Sequence, residues 1–227
     1  MISGVKILKP VVKKILCLSV ILMSGIFTAF SQGYERFQHL TDKEMEYALE
    51  NWIEVPVKYK AKNVHPESYI INSKGSKVET QHGYECGAVS MAYVLRHFGK
   101  SVEGIKMYMQ KDFPCKFDMG TYPKVFKKYL EPKGYKVNYY TGTIDDLKNC
   151  VSKGTPVIVL LQYPDGVLHY VPVTGYDKSY IYIQESVPRY RTDNKPAYNE
   201  KRTIEEFKKL WAVPIPYSSN LFVEIIK

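Results

Sequence analysis

Cysteine is scarce and scattered: Cys17, Cys86, Cys115 and Cys150 are the only four, and no two of them form a C-x-x-C pair. The five histidines likewise contain no H-x-x-x-H spacing. Metal sites built from side chains draw on such closely spaced ligands, so no metal is expected, and nothing in the sequence calls for a cofactor. Dense basic blocks interleaved with aromatics are missing too, which argues against nucleic acid as a partner. The formal charge of +9 does not oppose this. Lys6, Lys9, Lys13 and Lys14 lie in the first 31 residues with no acid beside them, which leaves 28 basic against 23 acidic residues in the rest. Those are mixed along the chain, as in Lys201-Arg202 followed by Glu205-Glu206. There is no internal repeat and no low-complexity tract. Hydrophobic residues at 45% and charged residues at 24% give 227 residues material for one good-sized domain with appendages. Tryptophan is rare, two residues against 20 tyrosines, and tyrosine suits half-buried strands.

No apolar run reaches the ~20 residues that a membrane-spanning helix needs. The longest, Ile15 to Phe30, follows the four lysines and is trailed by small residues, with Ala29 and Ser31 at the −3 and −1 positions of a cleavage site before Gln32. Residues 1–31 are therefore expected to be a secretory signal, and the mature chain to be exported, periplasmic or secreted, with no stable membrane span. Cys17 sits inside the apolar run, where a lipoprotein cysteine would follow it. Three cysteines remain after cleavage, and an odd count in an oxidising compartment means one pair plus a leftover, or no pair. A Cys115–Cys150 disulfide is one arrangement, which leaves Cys86 as the thiol that needs a reason.

Along the mature chain, residues 32–65 read as an N-terminal extension too short to fold alone and 66–227 as the main domain. Thr41-Asp42-Lys43-Glu44 is a capping box for a helix to about Trp52, and Val55–Val57 and Ser68–Ile71 read as short extended pieces. From Cys86 to Phe98 apolar residues point in most directions around a helix axis, the mark of a helix buried over most of its length, and Gly99 ends it. Helices are also expected over 102–111, from near Tyr122 to Leu130, after Thr143 and from Thr203 to Trp211. Strands are expected at 135–140, 156–161, 169–176, 180–183 and 221–226, with Pro172 marking an edge or a bulge. Helices first and antiparallel strands afterwards indicate an α+β layout.

Thiol chemistry needs a nucleophile, a base and donors for an oxyanion. Cys86 opens the buried helix, where the helix dipole and unpaired N–H groups favour a thiolate, and the polar lead-in Gln81-His82-Gly83-Tyr84-Glu85 belongs at a surface. The Gln81 side-chain amide and the Cys86 N–H are candidates for an oxyanion hole. Among the histidines, His39 and His65 lie in the extension and His97 is about 16 Å along the helix at ~1.5 Å per residue. His82 is close to Cys86 in sequence and stays a less favoured alternative. His169 begins a strand after the Tyr163-Pro164-Asp165-Gly166 turn, and is taken as the general base. A hairpin at Asp177-Lys178 brings Glu185 beside it to orient the imidazole, with Gln184 and Ser186 as rivals if the register slips by one.

Three stretches resemble the papain-superfamily cysteine peptidases that process bacteriocin leader peptides, and especially the stand-alone peptidase C39-like domains. They are Gln81–Ala88, Gly154–Val159 and His169–Tyr176, and the helix with Phe207 and Trp211 is similar as well. The resemblance runs from about Gln81 to Trp211. It implies a papain-like cysteine proteinase fold, with a buried N-terminal helix carrying the cysteine packed on an antiparallel sheet carrying the histidine. By it Gln81 matches the oxyanion glutamine, Cys86 the nucleophile and His169 the base. It also implies hydrolysis of a peptide or other amide, with a peptide or protein as substrate. Where that family usually ends the following strand with Asp-Pro, this chain has Glu185-Ser186. The alternatives are an acyl transferase using the same Cys–His pair, or an inactive peptidase-like binding module.

Overall fold

The computed structural model describes residues 54–61, 64–73, 77–115, 120–215 and 217–227, preceded by Thr41, Lys43, Glu44, Tyr47, Glu50 and Asn51. The signal segment expected over 1–31, its cleavage point before Gln32 and the extension as far as residue 40 lie outside the described residues. At the expected Thr41 capping box, the Thr41 N–H and hydroxyl both donate to the Glu44 carboxylate, and the positions described between 43 and 51 are helical. No helix among the described residues is long and apolar enough to cross a membrane.

Helix α1, Cys86–His97, is buried from Cys86 to Leu95, as its largely apolar sequence requires. The Ser90 hydroxyl inside it donates to the Tyr170 carbonyl at 3.0 Å. Arg96 in the last turn donates to the carbonyls of Lys77 and Val102, and Gly99 follows at φ +82°, a conformation that glycine adopts without strain. Helix α2 is shorter than expected, Gly104–Tyr108. Its start is fixed by the Glu79 carboxylate, which accepts from the N–H groups of Gly104 and Ile105. Then come α3 (Pro123–Leu130, proline in its first turn), β3 (Lys136–Thr141) and α4 (Ile144–Val151). A reciprocal Thr143–Asp146 capping box opens α4, and a Thr203–Glu206 box opens α5 (Ile204–Trp211).

Among the described residues the strands form one eight-stranded sheet. Its other members are β1 (Val57–Lys58), β2 (Tyr69–Ile70), β4 (Val157–Gln162), β5 (Leu168–Tyr176), β6 (Tyr180–Ile183), β7 (Glu200–Thr203) and β8 (Leu221–Ile226). The order is β1-β3-β8-β4-β5-β6-β7, with β2 added to β5, and only β1 runs parallel to its neighbour. Val157, Val159 and Leu161 of β4 join Val171 and Val173 of β5 in a core shared with Leu147 of α4 and with Phe207 and Trp211 of α5. Tyr170, of opposite parity to Val171, packs its ring against Phe126 of α3.

Of the two settings expected for Pro172, an edge or a bulge, the structure has the second: β5 is central, the β5–β6 register shifts between Val173 and Gly175, and β6 has ended at Ile183 where Pro172 would face it. The Pro172 carbonyl instead accepts from the N–H of Gln184. β7 was not expected because Glu200-Lys201-Arg202 is poor strand sequence; it forms as a charged strand at the end of the sheet, paired with β6.

Candidate active site

Cys86 is the first residue of α1, and no side chain caps that helix end; Glu85 instead turns its carboxylate to the N–H groups of His82 and Gly83. The first helical bond runs from Val89 N–H to the Glu85 carbonyl, so the N–H groups of Cys86, Gly87 and Ala88 precede the helical ladder. Gly87 is required here: a Cβ on it would lie 2.3 Å from that of Thr121. Cys86 and His169 line one cleft of about 340 Å³ together with Gln81, Tyr84, Thr121, Tyr122 and Tyr190.

His169 on β5 is 1% exposed and is hydrogen-bonded to Glu185, and it shares the wall of the cleft with the Cys86 thiol. Its Nε2 lies 2.8 Å from Glu185 Oε1, which leaves Nδ1 for Cys86. Burial alone would push the imidazole down, but the Cys86 sulfur and the Glu185 carboxylate outweigh it and hold it up at about 10. Glu185 is fully buried, yet it stays below its ordinary range because His169, the Tyr163 hydroxyl and the Val187 N–H all favour its charged form. Val187 N–H donates to Oε1 at 2.6 Å and Tyr163 to Oε2 at 2.6 Å. The Glu185 backbone is clamped as well, by Asn199, which accepts from its N–H and donates to its carbonyl, and by Arg191 Nε on the same carbonyl.

Of the four expected site residues, the structure thus joins His169 and Glu185 by a hydrogen bond and places Cys86 beside His169 on the same cleft. Gln81 lines the same cleft, but its amide N–H donates to the Gly83 carbonyl at 2.9 Å and its oxygen accepts from Ser186. The rivals of Glu185 are placed elsewhere: Ser186 holds Gln81, and Gln184 reaches the Pro196 carbonyl. His82 is exposed on the cleft, His97 bonds Ser73, His65 bonds Asp145, and His39 lies outside the described residues. Cys150 is a free thiol beside Glu224, so the Cys115–Cys150 disulfide is not formed.

Tyr163 and Asn199 were not anticipated. A signal existed for Tyr163: Leu161 pairs with His169, so a residue two beyond Leu161 returns to the same face. Its ring stacks on Tyr190 at 4.0 Å, and Tyr190 in turn donates to Asp165. No pattern pointed to Asn199, whose partners are backbone groups 14 residues away.

A model of the Peptidase C39-like family matches residues 54–213. Among solved structures, a protein described as a C39-like peptidase from Bacillus anthracis is similar at 19% identity and a TM-score of 0.50, over 71% of this chain and 98% of that one. The peptidase domain of Streptococcus ComA, a bi-functional ABC transporter of a quorum-sensing pathway, aligns at 16% identity and a TM-score of 0.49, over 66% of this chain and 98% of that one. Xylellain, a cysteine protease from Xylella fastidiosa, aligns at 14% identity and a TM-score of 0.48, over 76% and 95%. No curated protein matches the chain. The likeness to the Bacillus anthracis protein establishes the fold, an α+β papain-like one, as the sequence implied.

Proposed function

Because the chain belongs to the Peptidase C39-like family, we propose that it is an exported thiol peptidase that cleaves peptide bonds through a Cys86 thioester. The observation that carries this reading is a buried imidazole held between one thiol and one carboxylate at the wall of an open cleft. With Nε2–H committed to Glu185, Nδ1 is the ring nitrogen left to exchange a proton with the sulfur. The thiolate attacks the peptide carbonyl, and the oxyanion is met by the uncapped N–H groups at the start of α1 with the second amide N–H of Gln81. His169 gives its proton to the departing amine as the C–N bond breaks. It then takes a proton from water, whose hydroxide attacks the thioester carbonyl; the C–S bond breaks, the acid leaves and the thiolate–imidazolium pair is restored. A glutamate where relatives carry aspartate supports turnover here, since the carboxylate reaches His169 with both oxygens satisfied.

The test uses the mature chain and quenched fluorescent peptide libraries. Cys86→Ala and His169→Ala should each lower turnover on the order of 10⁴-fold or more, because nucleophile and base act as a unit. Circular dichroism should report the fold retained in Cys86→Ala. Wild-type turnover in Cys86→Ala would eliminate the thioester reading.

A further inference from the structure

A second cleft, of about 810 Å³, is lined in part by the segments that wall the first. Both clefts draw on the chain between 77 and 83 and between 184 and 191. The ridge between them is tied by Gln81 N–H to the Ser186 carbonyl at 3.2 Å, Ser186 Oγ to Gln81 Oε1 at 2.6 Å and Arg191 to Thr80 at 3.1 Å. Four basic side chains line the second cleft, Lys77, Arg96, Arg191 and Lys195, against two acids, Glu79 and Glu103. The acids are engaged: Glu79 pairs with Arg96 at 2.6 Å and Glu103 with Lys106 at 2.8 Å. Asp193 beside the cleft turns its carboxylate to the N–H of Asn194. The bases are not balanced in the same way. Arg191 donates only to neutral acceptors, the carbonyls of Glu185 and Ser186 and the Thr80 hydroxyl, and neither Lys77 nor Lys195 has an ion pair among the described residues. Amide side chains complete the wall, with Gln184 and Asn199 buried in its floor and Asn72 and Asn194 at its rim.

From this we propose that the second cleft binds an acidic segment of a peptide whose other part lies in the catalytic cleft. Lysine and arginine without counter-charges accept carboxylates, and the exposed amides of Asn72 and Asn194 offer the donor and acceptor that an extended main chain needs. A peptide, more than a small anion, fits a cleft over twice the volume of the catalytic one and lined by parts of the same two chain segments. The position has a consequence for the catalytic side, since Asn199 and Arg191 in its wall are the side chains that clamp the Glu185 backbone. This inference rests on the peptidase reading for the identity of the ligand, but its binding step does not require turnover.

The experiment uses the full mature chain carrying Cys86→Ala and measures fluorescence anisotropy with three labelled extended peptides, one glutamate-rich, one with glutamine in place of every glutamate, and one with lysine. The glutamate peptide should bind at least about tenfold tighter than the glutamine peptide, with binding weakened by added salt. Lys77→Glu combined with Lys195→Glu should reduce that affinity by about tenfold or more. The same pair of substitutions in a chain that retains Cys86 should leave iodoacetamide labelling of Cys86 at the wild-type rate, which separates loss of the cleft from loss of the fold. Equal binding of the glutamate and glutamine peptides, or an unchanged affinity in the doubly reversed chain, overturns the proposal. Displacement by citrate at matched carboxylate concentration would mark a small-anion site and overturn the peptide assignment. Selective binding with no turnover of any peptide by the wild-type chain would leave this cleft standing and remove the peptidase reading.

Discussion

Glu185 has three donors on its two oxygens and no contact with solvent, so its role is set by partners and not by exposure. Extending the β5–β6 ladder beyond Val173–Ile183 would set residue 185 opposite Val171, two residues short of His169. That diagonal is within reach of a long side chain, and it explains why glutamate serves where aspartate would fall short. Glu185→Gln should cut turnover by up to about 10⁴-fold, since an amide can stabilise the wrong imidazole tautomer. Glu185→Asp should retain more activity than Gln but less than wild type. Steady-state kinetics of the three proteins decides this, and equal turnover in all of them would take Glu185 out of the site. The same pair imposes a pH signature on stability. His169 is raised from 6.5 to about 10 by Cys86 and Glu185 against its burial, so its contribution is complete below pH ~6.5 and is lost as pH climbs towards 10. Glu185 is lowered from 4.5, so its contribution is complete above pH ~4.5 and is lost as pH falls further. Urea unfolding of wild type and Glu185→Gln across pH should therefore show their largest difference between about pH 4.5 and 6.5, narrowing on both sides. A difference independent of pH would contradict the pairing.

Among the elements, those with local signals in their own residues were legible, and those made by their neighbours were not. The buried α1, the capped starts of α4 and α5, and the strands β6 and β8 follow from apolar pattern and capping chemistry alone. β7 has no such signal; it forms by pairing with β6, and the buried Glu200 carboxylate lies against Arg202. The site divides in the same way. Cys86 and His169 stand at the ends of elements that the pattern locates, and Glu185 follows from one hairpin, whereas Tyr163 and Asn199 act through backbone and side-chain contacts that only the folded register brings together. The start of α1 depends on one such contact, the approach of Thr121 to Gly87. Gly87→Ala would force a Cβ to 2.3 Å from the Cβ of Thr121, and overpacking of that kind costs about 1–3 kcal/mol. Chemical denaturation should show the loss, and turnover should fall with it because the displaced turn carries Cys86. Adding Thr121→Gly should restore most of the stability, while Thr121→Ala should not, because it keeps the clashing Cβ. Wild-type stability in Gly87→Ala would mean that the helix start is not held by this contact.

At the scale of the whole molecule, the sequence before residue 32 and the three later thiols make one joint prediction. We propose that the chain is exported and cleaved before Gln32, on the strength of four lysines, an apolar run from Ile15 to Phe30 and small residues Ala29 and Ser31. An oxidising compartment would ordinarily pair accessible thiols. Cys150 is protected from that: it is buried 3.6 Å from Glu224, and burial together with that carboxylate pushes its thiol far up, which keeps it out of the reactive thiolate form. Cys86 is 8% exposed but opens on the cleft beside His169, so it is the thiol placed to meet a reagent. Protein purified from the native host should begin near Gln32 by N-terminal sequencing. A non-reducing peptide map should find Cys150 unbridged, and brief alkylation before unfolding should mark Cys86 ahead of Cys150. An intact Met1 would remove the export proposal and leave the site chemistry untouched. Alkylation of Cys150 at the rate of Cys86 would mean that the α4 core opens readily, and with it the sheet that positions His169.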